Sequence, residues 1–233
     1  MGKRGPQPKS VIDINWRPKL AYAVGLLVTD GNLSSDRRHI SFVSKDMEQI
    51  DNYMKCLGIK SKIGKTFSGY KNKFAYRVQI GNVLFYNFLC SIGLMPAKSK
   101  IIGKIKVPDL YFWDYIRGSL DGDGTFHSYW DKRWRSSHMF YLIFVSASEK
   151  HILWTRREIA KRLKINGHIT KDGRKLTYQL KYAKKDTIAI IKKIYYSPDV
   201  VCLSRKRKKI ERALVVESKQ QELYAQVAEL VYA

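Results

Sequence analysis

The sequence is short of acid. Its 233 residues carry 20 Asp and Glu against 44 Lys and Arg, a formal net charge of +24. An excess of that size repels itself, so a polyanion is the expected partner, and nucleic acid fits far better than an acidic small substrate. Cysteine is also scarce. Cys56, Cys90 and Cys202 lie far apart and form no CxxC pair, which argues against a disulfide framework or a zinc finger and for a reducing compartment. The five histidines show no metal-ligand spacing. No run of about 18 apolar residues occurs, so no membrane-spanning helix is expected. The opening MGKRGPQPKSVIDINW lacks the apolar segment of a secretory signal, and Pro6 stands where a myristoylation signal needs Ser or Thr. The expectation is an intracellular protein, with a prokaryotic cytoplasm and an organelle both open.

What the sequence does have is a core. Hydrophobic residues make up 45% and aromatics 12%, so the chain folds rather than forming a basic disordered tail. Its length allows one large domain or two of about 100 residues. Residues 1–18 hold Gly2, Gly5, Pro6, Pro8 and Pro18 among Lys3, Arg4, Lys9 and Arg17, and read as a basic arm. Residues 19–102 form a first half. From Lys19 the residues Leu20, Ala23, Val24, Leu27 and Val28 recur at helical spacing, with Gly31 where a C-terminal cap belongs. A strand at 32–35, a turn at Asp36-Arg37, an alternating strand at 39–44 and a helix at 46–57 follow. A hairpin from 60–67 and 74–80 and a helix at 83–94 complete the half. After a connector at 103–108 the order repeats over 109–203: helix 109–121, strands 124–133 and 138–146, helix 149–163, a hairpin from 167–171 and 176–182, and helix 187–195. Residues 204–233 open on RKRKK and continue as a helix with an incomplete apolar stripe.

The repeat survives residue-by-residue alignment. ISFVS at Ile40 matches LIFVS at Leu142, an offset of 102. FAYRVQI at Phe74 matches LTYQLKY at Leu176 at the same offset, and Tyr76 falls on Tyr178. TDGN at Thr29 matches GDGT at Gly122 at an offset of 93, so the nine extra residues belong to the second half's first hairpin. Three matches in one order point to duplication. The expected fold class is α+β, a pseudo-twofold duplicated αββαββα arrangement.

Each half ends its first helix in Asp-Gly: Asp30-Gly31 and Asp123-Gly124. An acid there faces the negative end of the helix dipole, at a cost of a few tenths to about 1 kcal/mol. Gly25 and Gly118 lie five residues earlier. A glycine inside a helix costs roughly 0.5–1 kcal/mol relative to Ala, unless another backbone must come close. Two helices packed through Gly25 and Gly118 would bring Asp30 and Asp123 together. Paired carboxylates repel, and a hard divalent cation removes the conflict. The same cation supplies what phosphodiester hydrolysis needs, an activated water and stabilised phosphate charge.

AVGLLVTDG (Ala23 to Gly31) and IRGSLDGDG (Ile116 to Gly124) resemble two copies of the LAGLIDADG motif. Over nearly its whole length the chain is similar to the monomeric, two-motif LAGLIDADG homing endonucleases. The first motif departs from the eponymous letters at Val28 and Thr29, the second at Arg117, Ser119 and Gly122. Both keep the central Gly, the last Asp and the final Gly. The resemblance implies two antiparallel four-stranded saddle sheets. It implies that Asp30 and Asp123 bind Mg²⁺, or another divalent cation such as Mn²⁺, with help from the backbone carbonyls of Thr29 and Gly122. It also implies a basic residue near each centre: Lys98 in GLMPAKSK, and Lys206 in VCLSRKRKK with Arg205 as its rival. Asp121 has no counterpart at Val28 and is not taken as a ligand. The implied activity is metal-dependent double-strand cleavage of a long DNA site by a monomer, promoting mobility of a host intron. Neither end shows intein splicing residues, so a free-standing intron-encoded protein is expected.

Strand alternation turns Ile40, Phe42, Phe74, Tyr76, Val78 and Ile80 toward the helices and leaves His39, Ser41, Ala75, Arg77 and Gln79 for base edges. The second half presents Tyr141, Ile143, Thr177, Gln179 and Lys181, with His127 beside them. Cations at the strand tips are Arg37, Arg38, Lys71 and Lys73 in one half and Lys132, Arg133, Arg135 and Arg174 in the other; these are expected to meet phosphates. Tyr129, Trp130 and Trp134 are expected to pack on the sheet. The halves differ at nearly every groove-facing position, so the target is pseudo-palindromic. The alternative on the same scaffold is an intron maturase that binds host intron RNA.

Overall fold

Pro18 pre-sets the first turn of helix α1 (Pro18–Asp30). From Leu20 to Val28 every residue of that helix is buried. A helix apolar on all sides must be covered on all sides. Here α4 (Phe112–Asp121), α2 (Met47–Leu57) and strand β2 (His39–Ser44) do so. The structure, a computed structural model, describes residues 12–67, 74–134, 137–173 and 176–232. No helix among them is long and apolar enough to cross a membrane.

β1 (Gly31–Leu33), β2, β4 (Phe74–Gly81) and β3 (Ile63–Phe67) form one antiparallel sheet in that spatial order. β5 (Thr125–Trp130), β6 (His138–Ser146), β8 (Thr177–Tyr182) and β7 (His168–Asp172) form a second with the same order. Helix α3 (Val83–Ser91) closes the first half; α5 (Glu149–Leu163) and α6 (Lys184–Ile194) serve the second, and α7 (Ser204–Tyr232) follows. The register carries the duplication. Phe42 lies opposite Val78 and Ser44 opposite Tyr76; in the second sheet Phe144 lies opposite Leu180 and Ser146 opposite Tyr178. Each of these is shifted by the same 102 residues seen in the sequence. The fold is the duplicated αββαββα of the α+β class.

The halves meet through backbone. A Cβ added at Gly25 would stand 2.3 Å from the Tyr115 carbonyl oxygen, and one at Gly118 would stand 2.1 Å from that of Tyr22. No side chain fits at either position, which accounts for two helix-weakening glycines. The connector is fastened too. His151 Nδ1 lies 2.7 Å from the Gly103 carbonyl, and Ser148 Oγ donates to that of Ile102 at 2.5 Å.

Gly31 caps α1, its N–H donating to the Leu27 carbonyl from an extended backbone (φ −86°, ψ 154°), and glycine is required because a Cβ would stand 2.6 Å from that oxygen. Three expectations need correction. The basic arm does not reach residue 18 as a free segment, because Ile12 is buried and Trp16 packs edge-on against Phe88. Phe74 keeps the face of Tyr76 and Val78 but lies beyond the core. It sits at the far end of β4, 40% exposed, against Phe67 and Tyr76. Trp134 does not pack down on the sheet and is 70% exposed at the end of the longer hairpin, while Trp130, 50% exposed, packs against His138 of β6.

Replacing an exposed helical Gly by Ala stabilises by about 1 kcal/mol. Gly118→Ala should do the reverse. Backbone overpacking there should lower the unfolding free energy by about 2–3 kcal/mol, measurable by urea titration; a gain in stability would show that the helices do not touch.

Candidate active site and nucleic-acid interface

The α1–α4 contact continues to both helix C-termini. A Cβ on Gly122 would stand 1.9 Å from Thr29 Oγ1 and 3.0 Å from Asp30 Oδ2, so the two Asp-Gly ends adjoin. Burial, then the like charge of Asp123, pushes the Asp30 carboxyl up to about 6. Burial raises Asp123 as well. Lys206 and Lys98 oppose both shifts. Two acids and two lysines therefore share one electrostatic field.

Each lysine hangs on a helix end. Lys98, buried in a 3-10 turn (Lys98–Lys100), donates to the Gly31 carbonyl at 2.5 Å and lies 3.4 Å from that of Thr29. Lys206 enters from the first turn of α7. Its Nζ lies 2.6–2.8 Å from the carbonyls of Leu120, Asp121, Gly122 and Gly124. Such carbonyls have no partner inside the helix, and positive charge is favoured beside them. Burial lowers both amines, Lys206 to about 8. Arg205 turns away and pairs with Asp46 at 2.7 Å.

Among the described residues no three His, Cys, Asp or Glu side chains stand together as a metal cluster. The centre offers two carboxylates, Asp30 and Asp123, and the Thr29 and Gly122 carbonyls, which already accept from Lys98 and Lys206 respectively. Two repelling, hard oxygen donors fit a Mg²⁺-type ion. Such an ion keeps several waters and draws further ligands from phosphate. Asp121 takes no part: its Oδ2 accepts from Tyr22 Oη and the Leu203 N–H, each at 2.8 Å. Burial raises that carboxyl to about 6.

The sheet faces away from the helices carry the residues expected to contact nucleic acid. Arg77 and Gln79 are exposed on β4, joined by a 2.6 Å hydrogen bond. Tyr141, Thr177, Gln179 and Lys181 are half-buried on the corresponding face of the second sheet. His127 stacks near Tyr129, and Tyr129 stacks on Tyr141. His39 is held at a strand start by Asp36, Nδ1 to Oδ2 at 2.5 Å. Ser41 departs from the expectation and is buried. It lies in register between Asn32 and Gln79, and a one-oxygen side chain is shaded between two longer ones. Arg37, Arg38 and Lys132 are exposed, while Arg133 is paired to Asp131 at 2.9 Å. Lys71, Lys73, Arg135 and Arg174 lie outside the described residues.

Sequence reasoning missed Arg117 as a structural centre. It is 2% exposed and donates to Asp114 at 2.6 Å and to the Ile194 and Val201 carbonyls at 2.7 and 2.8 Å. The acid three residues earlier, on a helix otherwise fit for burial, was the available signal.

No protein-family model matches the sequence, and no curated protein does. Among solved structures the chain is similar to full-length DUF199/WhiA from Thermatoga maritima, with 14% identity, a TM-score of 0.55, and coverage of 93% of this chain and 70% of that one. It is similar to the homing endonuclease I-WcaI bound to its DNA recognition sequence, with 12% identity, a TM-score of 0.59, and coverage of 82% and 86%. It is also similar to I-SmaMI bound to uncleaved DNA target in the presence of calcium ions, with 12% identity, a TM-score of 0.56, and coverage of 88% and 93%. Identities this low establish the fold, which is that of the two-domain LAGLIDADG homing endonucleases.

A raised carboxyl pKa means that the folded protein holds its proton more tightly than the unfolded chain. The Asp30 contribution is therefore favourable in acid and is lost as the pH climbs from its ordinary 3.8 through about 6. Without divalent cations, Asp30→Asn should raise the unfolding free energy at pH 7.5 by about 1–3 kcal/mol and change it little near pH 4. Urea titrations at the two pH values test this; equal stability at pH 7.5 would mean the acids are not in conflict.

Proposed function

We propose that this protein is a site-specific DNA endonuclease of the LAGLIDADG homing type, acting as a monomer on one long pseudo-palindromic duplex. One observation carries the reading. Two carboxylates, half-buried Asp30 and more open Asp123, one from each half, are brought together at adjoining helix ends with a lysine against each end. A fold has no use for that repulsion, and perturbed acids clustered with lysines mark a functional site.

In this reading Asp30 and Asp123 hold a divalent cation, Mg²⁺ or Mn²⁺, with the Thr29 and Gly122 carbonyls beside it. When bound, the cation supplies an acidified water and charge stabilisation on the scissile phosphate. Lys98 and Lys206 add fixed positive charge where the phosphate gains negative charge. Lys206, lowered to about 8, also lies near the range in which an amine exchanges protons at physiological pH. The open faces of the two sheets read base edges through Arg77, Gln79, His127, Tyr141, Thr177, Gln179 and Lys181, with His39 at their margin. Arg37, Arg38, Lys132 and Arg133 position the backbone. The likeness to homing endonucleases solved on DNA, one of them with calcium ions, supports both the partner and the metal class. Mobility of a host intron is the biological role that fits such an activity.

A target selected from a randomised duplex library should be cut on both strands in Mg²⁺. Asp30→Asn or Asp123→Asn should slow double-strand cleavage by ~10³-fold or more and leave affinity intact. DNA bound but never cut by the wild type would refute the assignment. Affinity should also fall steeply with salt, by about 0.9 log units per log unit of salt for each phosphate neutralised. A flat response would remove the electrostatic part.

A further inference from the structure

The two lysine seats are built differently. The sequence offsets align Tyr22 with Tyr115, Val28 with Asp121, and Gln49 with His151. In the second half, Asp121 Oδ2 joins Tyr22 Oη, from the first half, to the Leu203 N–H. Gln49 Nε2 of α2 donates to the Asp121 carbonyl at 3.0 Å, with Gln49 held in turn by Ser44 Oγ at 2.7 Å. Leu203 is fully buried, and its own carbonyl accepts from the Lys206 and Arg207 N–H groups, starting α7. The neighbouring residues grip α2 of the first half. Asn52 Nδ2 donates to the Cys202 carbonyl at 2.9 Å, Ser204 N–H donates to Glu48 at 3.0 Å, and Arg205 pairs with Asp46 at 2.7 Å.

The Asp121 bridge has no counterpart at the other seat, where the cross-half hold is made instead by Ser148 Oγ and His151 Nδ1 of α5 on the Ile102 and Gly103 carbonyls that follow Lys98. Val28 stands in place of Asp121, Tyr115 Oη turns to His151 Nε2 at 3.2 Å, and Lys98 reaches its carbonyls from its own 3-10 turn. Asp121 is costly where it lies, since Oδ1 finds no hydrogen-bond partner among the described residues. The first half shows that an apolar residue serves the helix at this position.

We propose that Asp121 is a positioning residue for Lys206, acting through Leu203, and that Asp46, Glu48 and Asn52 of the first half complete the second centre by clamping residues 202–205. Its catalytic consequence rests on the nuclease reading; its geometry does not. Loosening the clamp frees Lys206 and leaves Lys98 seated, so only one strand of the duplex is affected.

The test compares Asp121→Val, which installs the first half's residue, with Asp121→Asn, which keeps an acceptor for Tyr22 and Leu203. The surface pair Asp46→Ala/Glu48→Ala, which removes both acceptors of the clamp, carries the test if Asp121→Val does not fold. The first readout uses no DNA: brief reductive methylation followed by peptide mass spectrometry. Lys206 should be modified about tenfold faster in Asp121→Val and in the surface pair, as the loss of about one net hydrogen bond allows. Asp121→Asn should restore protection, and Lys98 should stay protected throughout. Unchanged protection of Lys206, or exposure of both lysines together, overturns the proposal. The second readout follows each strand of a cleaved target. Asp121→Val and Lys206→Met should slow the same single strand by about tenfold or more, giving nicked product; equal slowing of both strands also overturns it. Should the wild type cut nothing while the methylation pattern holds, the nuclease reading fails and the positioning role stands.

Discussion

The contact of two glycines sets everything else in this molecule. With Cβ atoms absent at Gly25 and Gly118, α1 and α4 touch backbone to backbone, and neither helix can slide or tilt without a collision. The contact brings two helix C-termini, with their unpaired carbonyls and negative partial charge, to one place. It also carries two aspartates there. Left alone, such a place would be strongly unfavourable. The rest of the site follows as compensation: a lysine against each helix end, a chain that is cationic overall, and a centre suited to one more positive charge.

The choice of lysine at these seats has a geometric basis. Lys206 Nζ faces four carbonyl oxygens within 2.6–2.8 Å. An ammonium has three N–H donors around a compact point, which suits a cup of acceptors. A guanidinium is flat and spreads its donors in a fork, which suits a carboxylate, and Arg205 next door makes such a pair with Asp46. Two adjacent cations in one basic run thus have separate tasks, one inward at the helix end and one outward as a clamp.

How far the sequence disclosed this depends on distance along the chain. The sheets were legible because alternation is local and the 102-residue offset reappears as strand register, Phe42 with Val78 and Phe144 with Leu180. The site's outline was legible because an acid at a helix C-terminus and a glycine inside a helix are each unfavourable by themselves and ask for a partner. A misreading came where a local rule was incomplete: Ser41 obeys strand parity yet is shaded by its neighbours. The α2–α7 clamp was invisible. It joins Asp46, Glu48 and Asn52 to residues 202–205, and no periodicity links segments so far apart.

The duplication is strict at the two glycines and the two acids and looser among the groups that support the lysines. Gly25 and Gly118, Asp30 and Asp123, Ser44 and Ser146, and Tyr76 and Tyr178 all pair by type. Tyr22 and Tyr115 pair by type but bond to different groups, and Gln49 with His151 or Val28 with Asp121 do not match at all. The backbone contact leaves no freedom to vary, since any side chain at either glycine collides. The supports behind each lysine have freedom, because several arrangements can hold an amine against a carbonyl cluster. Joining both halves in one polypeptide lets each support be built from the other half's residues. The second seat uses this, taking its clamp from α2 and its hydrogen-bond donor from α1. Under the proposed nuclease function, asymmetry at the supports and on the sheet faces, around a symmetric pair of acids, suits two equivalent chemical steps on two unlike half-sites.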